Sequence, residues 1–297
     1  MGRAMALAFA RAGADISVGS LLADKGVAKV GGELSYLPGQ DELQATREEI
    51  EGLGVRCLAL GLDVTETESV QAFCNTAIAE LGKVDILANA AGITAEHAIS
   101  GHSEALWRKV MSVNVDGAFR TIRLALPGMI ERRWGRIINV ASTAASVGAA
   151  TSGAYCASKA ALVGLSRCVA LEGAPYGVTC NAISPGWTDT NFGRDWMSDI
   201  AVVQEKRSGE EYIADAEEAN PQGRLMQVGE VAALALYLCR EEALAMTMQD
   251  LTLSGGSLWQ SGAPSPAEAV PKNPDDGYRE TAPARAAPPE RFELPTT

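Results

Sequence analysis

Tyr155 and Lys159 bound the run Tyr155-Cys156-Ala157-Ser158-Lys159, and Ser142 stands thirteen residues ahead of the tyrosine, at the end of an apolar run. If residues 154–172 form a helix, positions i and i+4 share a face, so a phenol and an ammonium lie side by side. A neighbouring cation favours the phenolate and lowers the phenol's pKa, which would let Tyr155 give and take a proton near neutral pH. This is oxidoreductase chemistry in outline. The spacing alone also suits two surface neighbours on a helix, so the elements around the pair have to decide.

Open α/β sheets present ligands at the carboxyl ends of their strands. Residues 135–141 read as such a strand, with Ser142 at its end. Residues 84–89 are apolar at nearly every position, as a parallel strand covered on both faces should be, and run into the small turn Asn89-Ala90-Ala91-Gly92, where a backbone can approach a ligand closely. Further strands are expected over 15–19, 55–63, 178–183 and 251–253. Helical spacing covers 2–12, closed by Gly13, then 41–53, and 103–132 with a bend expected at Pro127-Gly128 and Asn114 inside. Thr65 with Glu68 three residues on has the form of a capping box for a helix reaching Leu81. Residues 187–225 separate Pro185-Gly186 from a last helix near Gln227, and their Trp187, Phe192, Trp196 and Met197 could line an apolar pocket or pack a lid onto the protein. Residues 21–40 make a connection longer than α/β units usually carry, either folding over a ligand or lying on the surface.

Over about residues 2–257 the sequence resembles the short-chain dehydrogenase/reductase family, because several motifs recur in the family's order. Asn89-Ala90-Ala91-Gly92 is similar to its Asn-Asn-Ala-Gly turn, Asn114 falls at its catalytic asparagine, and Ser142, Tyr155 and Lys159 complete the tetrad. Pro185-Gly186-Trp187-Thr188-Asp189-Thr190 resembles the Pro-Gly-x-Ile/Val-x-Thr segment that touches nicotinamide. The resemblance implies a Rossmann-like, doubly wound parallel sheet and an NAD(P)-dependent oxidoreductase interconverting a secondary alcohol and a ketone. Tyr155 would be the general acid/base, Lys159 would lower its pKa and bind the nicotinamide ribose, Ser142 would donate to the substrate oxygen, and Asn114 would hold a relay water. Cofactor contacts carry over onto Gly2, Ser20, Asp63, Val64, Asn89, Ala91, Gly92, Tyr155, Lys159, Pro185, Gly186, Thr188 and Thr190, with Asp63-Val64 at the adenine. Ser20 stands where NAD-specific relatives carry an acid, which leans the cofactor from NAD towards NADP, with Lys25 a candidate for the 2′-phosphate. The family is commonly tetrameric through the two long helices, so a homo-oligomer, tetramer or dimer, is expected.

Two features depart from the family pattern. Ala90 replaces the second asparagine of the turn, and Gly2 occupies the last glycine of Thr-Gly-x-x-x-Gly-Ile-Gly, so the sheet is expected to lack its first, central strand and the site half its phosphate loop. A start codon placed too late explains this most simply; a fragment or decayed copy is the alternative.

Of the 297 residues, 260 are expected in the catalytic domain, and 261–297, rich in Pro, Ala and charge, in a disordered tail. A net charge of −12 without any basic block argues against nucleic acid as a partner. The six scattered cysteines read as reduced and buried, Cys156 beside the tyrosine facing the core rather than serving as the alternative, a reactive thiol, and with two histidines and no C-x-x-C they suggest no metal site. The opening residues suit an amphipathic helix better than a signal peptide, and no later run reads as membrane-spanning, so a cytoplasmic protein acting on a small molecule, away from membranes, is expected. The competing class is a non-catalytic truncated paralogue that works, if at all, through protein association. An epimerase or dehydratase would share Tyr-x-x-x-Lys, but the Pro-Gly segment and the Ser142 spacing favour a dehydrogenase.

Overall fold

The computed structural model describes residues 1–23, 33–202 and 208–257. Lys25, with the rest of residues 24–32 in the 21–40 connection, and the tail expected over 261–297 lie outside the described residues.

The apolar runs become the buried strands. Strands β6 (Gly135–Val140) and β7 (Val178–Pro185) are buried at every position, as parallel strands covered on both faces must be. They pair in parallel with each other, β6 also with β4 (Ile86–Asn89), and β7 with β8 (Asp250–Leu253), giving the order β4-β6-β7-β8. Period-two alternation divides β6 between two cores. Ile138 and Val140 join Met5, Phe9 and Ala10 of helix α1 (Gly2–Arg11) and Val231 and Ala235 of a late helix (Val228–Leu238), whereas Ile137 faces Ile122, Ala125 and Met129 of one helix and Val169 and Ala170 of another. Helices therefore cover both faces, the doubly wound arrangement.

A second parallel pair, β1 (Ile16–Ser20) with β3 (Cys57–Gly61), runs in register from Ile16 opposite Cys57 to Ser20 opposite Gly61. Among the described residues no ladder joins β1 to β4. Ala88, in the middle of β4, is exposed, and residues of both strands line one cavity of about 970 Å³. This is the gap expected from the missing strand. Helix α1 bridges it, since its apolar stripe packs on β1 and on β6 and β7 alike. Gly13, at φ +90°, ends the α1 turn in a backbone conformation that glycine adopts without strain.

Helix α2 (Gln40–Glu51) precedes β3, and α3 (Thr67–Leu81) follows it. The capping box expected at Thr65 is not made: Thr65 gives both its N–H (2.8 Å) and its hydroxyl (2.6 Å) to Asp63 Oδ1, and Glu66 becomes the N-cap without a side-chain bond. The 103–132 helix is interrupted earlier than Pro127. Helix α4 (Glu104–Met111) passes through a π turn at Ser112–Asp116 into α5 (Gly117–Arg132), which carries Pro127 inside it. Two short strands, β2 (Glu33–Leu34) and β5 (Thr94–Ala95), pair antiparallel and fold the described end of the 21–40 connection back towards the Asn89 turn.

Helix α6 (Gly153–Gly173) follows β6. Contrary to expectation, residues 153–176 contain an 18-residue stretch apolar enough to cross a bilayer, at mean hydropathy 1.2, yet half of that stretch is packed inside the protein. The segment after β7 holds α7 (Asn191–Ile200) and α8 (Gly209–Glu218), which pack together ahead of α9 (Val228–Leu238). The cysteines are free, but not all are buried: Cys168 is exposed, and Cys156 and Cys239 are half-buried.

Candidate active site

Strand β6 ends at Val140 beside the crevice, and α6 begins at Gly153, which brings Ser142, Tyr155 and Lys159 to one region. Tyr155 is buried, with Ser142 beside its hydroxyl. Lys159 is also buried, but its ammonium does not reach the phenol oxygen; Nζ donates to the main-chain carbonyl of Val140 at 2.9 Å and lies 5.4 Å from the centroid of the Tyr155 ring. The expected lowering of the phenol's pKa is therefore reversed. Burial pushes Tyr155 up to about 12, the neighbouring Ser142 hydroxyl opposing it, and burial pulls Lys159 down to about 8. At neutral pH this tyrosine is a protonated donor. Burial also raises the Cys156 thiol, which leaves little thiolate beside it.

Asn114 sits at the π turn, buried, with its amide fully engaged. Oδ1 accepts from the Ile93 N–H at 2.9 Å, while Nδ2 donates to the Ile93 carbonyl and to Ser158 Oγ, both at 2.9 Å. The side chain thus fastens the Asn89 turn to α6. A Cβ at Gly92 would stand 3.4 Å from Lys159 Nζ and 3.5 Å from Asn114 Oδ1, so the turn runs directly against both residues. Asn89 continues this polar link: Thr121 Oγ1 donates to its Oδ1 at 2.7 Å, and its Nδ2 donates to Asn139 Oδ1 at 2.8 Å.

The cavity of about 970 Å³ joins Gly2, Ser20, Asp63, Val64, Asn89, Ala91, Gly92, Tyr155, Lys159 and Thr190 along one wall system. Ser142, Asn114, Pro185, Gly186 and Thr188 are not among its lining. Gly186 instead packs on Ser254, where an added Cβ would lie 3.2 Å from its Cα, Thr188 Oγ1 donates back to the Gly186 carbonyl at 3.0 Å, and Thr190 caps α7 by accepting from the Gly193 N–H at 2.9 Å. The residues present fit a dinucleotide. The N-terminus of α1, where anions are favoured, lies close to the Asn89 turn: a Cβ on Gly2 would stand 3.3 Å from the Ala90 Cβ.

Helix α7 closes over the tyrosine. The Trp196 ring meets Tyr155 edge-on at 4.8 Å and Trp187 at 5.0 Å, with Phe192 at 6.0 Å, whereas Met197 is wholly buried and points to the core. Sequence reasoning missed one contributor here. Glu96 accepts from Trp196 Nε1 at 2.8 Å. The pair has no spacing signature, since the two residues meet only through the tertiary fold. His97, next to Glu96 in the chain, and His102 have their rings edge-on to each other, each Nδ1 at a main-chain carbonyl.

Comparison with known proteins accords with this arrangement. Residues 17–257 match the family model described as enoyl-(acyl carrier protein) reductase. The chain is 37% identical over 226 residues to a D-beta-hydroxybutyrate dehydrogenase of Cupriavidus necator, covering 73% of this chain and 85% of that protein. Among solved structures it resembles an actinorhodin polyketide ketoreductase with NADPH (TM-score 0.77, 30% identity, 86% of this chain and 92% of that one). It also resembles an NAD+-bound xylitol dehydrogenase (TM-score 0.74, 26% identity, 86% and 94%). A match spanning both parallel strand sets and the Ser142–Tyr155–Lys159 region leaves one assignment: the chain belongs to the short-chain dehydrogenase/reductase family of NAD(P)-dependent oxidoreductases.

Proposed function

We propose that this protein interconverts a secondary alcohol and a ketone, with Tyr155 as the general acid/base. The observation that carries the reading is the single cavity running from Gly2 and Ser20, past the Asn89 turn, to Lys159 and Tyr155. A bound nicotinamide cofactor supplies or accepts the hydride. The chain's own groups do the rest. Tyr155 Oη holds the proton given to the developing alkoxide, and Ser142, beside that hydroxyl, orients it and donates to the substrate oxygen. A phenol at about 12 is poised as donor, which suits the reductive direction at neutral pH. Lys159, a cation at the cavity wall beside Gly92, binds the ribose side of the cofactor. Asn114 positions α6 and the Asn89 turn; since its amide is occupied, a relay water would have to be held by the carbonyls that a π turn leaves without a helical partner.

Gly2, Asp63, Val64, Ala91 and the Pro185, Gly186, Thr188 and Thr190 segment complete the proposed cofactor contacts, and Ser20 at the end of β1 favours NADP by carrying no charge. Cytoplasmic location and a homo-oligomer built on α5 and α6 belong to the same reading, supported by Phe119 and Leu171, exposed on those two helices. The relatives direct the substrate search to 3-hydroxyacyl and 3-oxoacyl compounds. A panel of these, with simple secondary alcohols and ketones beside them, followed at 340 nm with NADPH and NADH, tests the proposal. Cofactor-dependent turnover of one such pair is expected, and cofactor binding without turnover of any would favour the non-catalytic alternative.

A further inference from the structure

Glu96 follows β5 and has no role in hydride chemistry, yet three parts of the site converge on its carboxylate. Ser152, the residue ahead of α6, donates its hydroxyl to both oxygens at 2.8 and 2.7 Å, and Thr151 Oγ1 donates at 2.9 Å. Thr151 has φ +68°, a left-handed conformation that a β-branched residue rarely adopts. It persists where surrounding bonds over-determine it: the Glu96 carboxylate on one side, and the His97 N–H donating to the Thr151 carbonyl at 2.8 Å on the other. The third arm is the Trp196 indole, whose Nε1–H donates to Glu96 Oε1 at 2.8 Å while its ring stands edge-on to Tyr155.

We propose that Glu96 is a positioning residue that latches α7 over Tyr155, acting through the Trp196 indole. The carboxylate is anchored from the α6 side by Ser152 and Thr151, so it offers Trp196 a fixed acceptor rather than a mobile one. Trp196 in turn is the only α7 side chain among the described residues with ring contacts to both Tyr155 and Trp187. Opening the lid for substrate therefore breaks one charge-assisted hydrogen bond, and closing it remakes that bond and drives water from the phenol. The functional meaning of the latch rests on Tyr155 being the reacting group; the latch itself does not.

Amide hydrogen exchange on the full chain tests it without turnover, so failure of the hydride-transfer reading would leave the result interpretable. A hydrogen bond to a charged group shifts a local equilibrium about tenfold or more. Glu96→Ala is expected to speed exchange across Asn191–Ile200 by that factor while β6 changes less than twofold, and Glu96→Gln, which keeps one carbonyl oxygen for the indole, is expected to restore part of the protection. In a Trp196→Phe background, Glu96→Ala should add less than twofold. Unchanged α7 exchange in Glu96→Ala overturns the proposal. So does an equal effect in the Trp196→Phe background, which would mean that the carboxylate acts through Thr151 and Ser152 alone. If Glu96→Ala unfolds, seen as lost protection in β6, Trp196→Phe decides by itself: a tenfold rise in α7 with β6 protected supports the latch, and parental α7 protection overturns it.

Discussion

Replacing Lys159 with methionine should stabilise the protein while disabling it. The ammonium is 4% exposed and has one hydrogen bond among the described residues, to the Val140 carbonyl. Burial lowers its pKa from 10.5 to about 8, and at about 1.36 kcal/mol per unit that drop corresponds to roughly 3 kcal/mol of destabilisation by the buried charge. The cost is full below pH 8, where folded and unfolded chains are both protonated. It fades as pH rises from 8 to 10.5, because the unfolded chain then binds the proton that the folded one has released, so stability climbs by up to about 1.4 kcal/mol per pH unit. Tyr155 acts in the opposite sense but only above pH 10: its phenol is raised from 10 to about 12, so its stabilising contribution is complete below pH 10 and lost as pH rises through 12. Methionine keeps the apolar stem and removes the charge, while the abandoned Val140 carbonyl takes back about 1 kcal/mol. The expected gain is about 2 kcal/mol at pH 7, shrinking to nothing near pH 9.5. Urea unfolding of both proteins at pH 7, 8, 9 and 9.5 measures it. A variant less stable at pH 7, or a difference that stays flat with pH, would refute the electrostatic argument.

Three further outcomes are expected. Ser20→Asp, at the carboxyl end of β1 and on the cavity wall, should shift preference towards NAD by placing a charge against the 2′-phosphate, read as the ratio of NADP to NAD dissociation constants. Asn114→Ala removes three buried hydrogen bonds and strands the Ile93 amide groups, so urea unfolding should show a loss of about 2–4 kcal/mol besides any loss of turnover. An extended apolar segment of five or six residues fused ahead of Met1, able to pair with β1 and β4 across the cavity, should raise both Tm and NAD(P) affinity; unchanged values would mean that the slot does not accept a strand.

The strands and the tetrad's neighbourhood were legible because they depend on local signals. The short run 178–183, half β-branched and bounded by Gly177 and Pro185-Gly186, reads as a strand, and the i, i+4 spacing places Tyr155 and Lys159 on one face of α6. What the spacing could not convey is where a flexible ammonium ends. Lys159 turns to a carbonyl nineteen residues back in the chain rather than to the phenol, which reverses the expected shift at Tyr155. The π turn at Asn114 has no sequence period, and the partners that occupy its amide lie 21 and 44 residues away. Arg136 likewise sits fully buried in a strand read as apolar, because its guanidinium stacks at 4.4 Å on Trp134, donates to the Gly135 and Gly177 carbonyls, and reaches Glu241, 105 residues distant. The capping box at Thr65 failed for a local reason: Asp63, two residues earlier, takes the hydroxyl first.

The central claim is that the Tyr155 hydroxyl moves the proton in an NAD(P)-dependent reaction. Its most direct test is the reduction of ethyl 3-oxobutanoate, or whichever carbonyl in the panel turns over fastest, by the parent chain and by Tyr155→Phe. Loss of the hydroxyl alone should lower kcat by about a hundredfold or more, with NADPH and NADH dissociation constants within twofold of the parent. A phenylalanine variant that turns over at close to the parental rate would contradict the account.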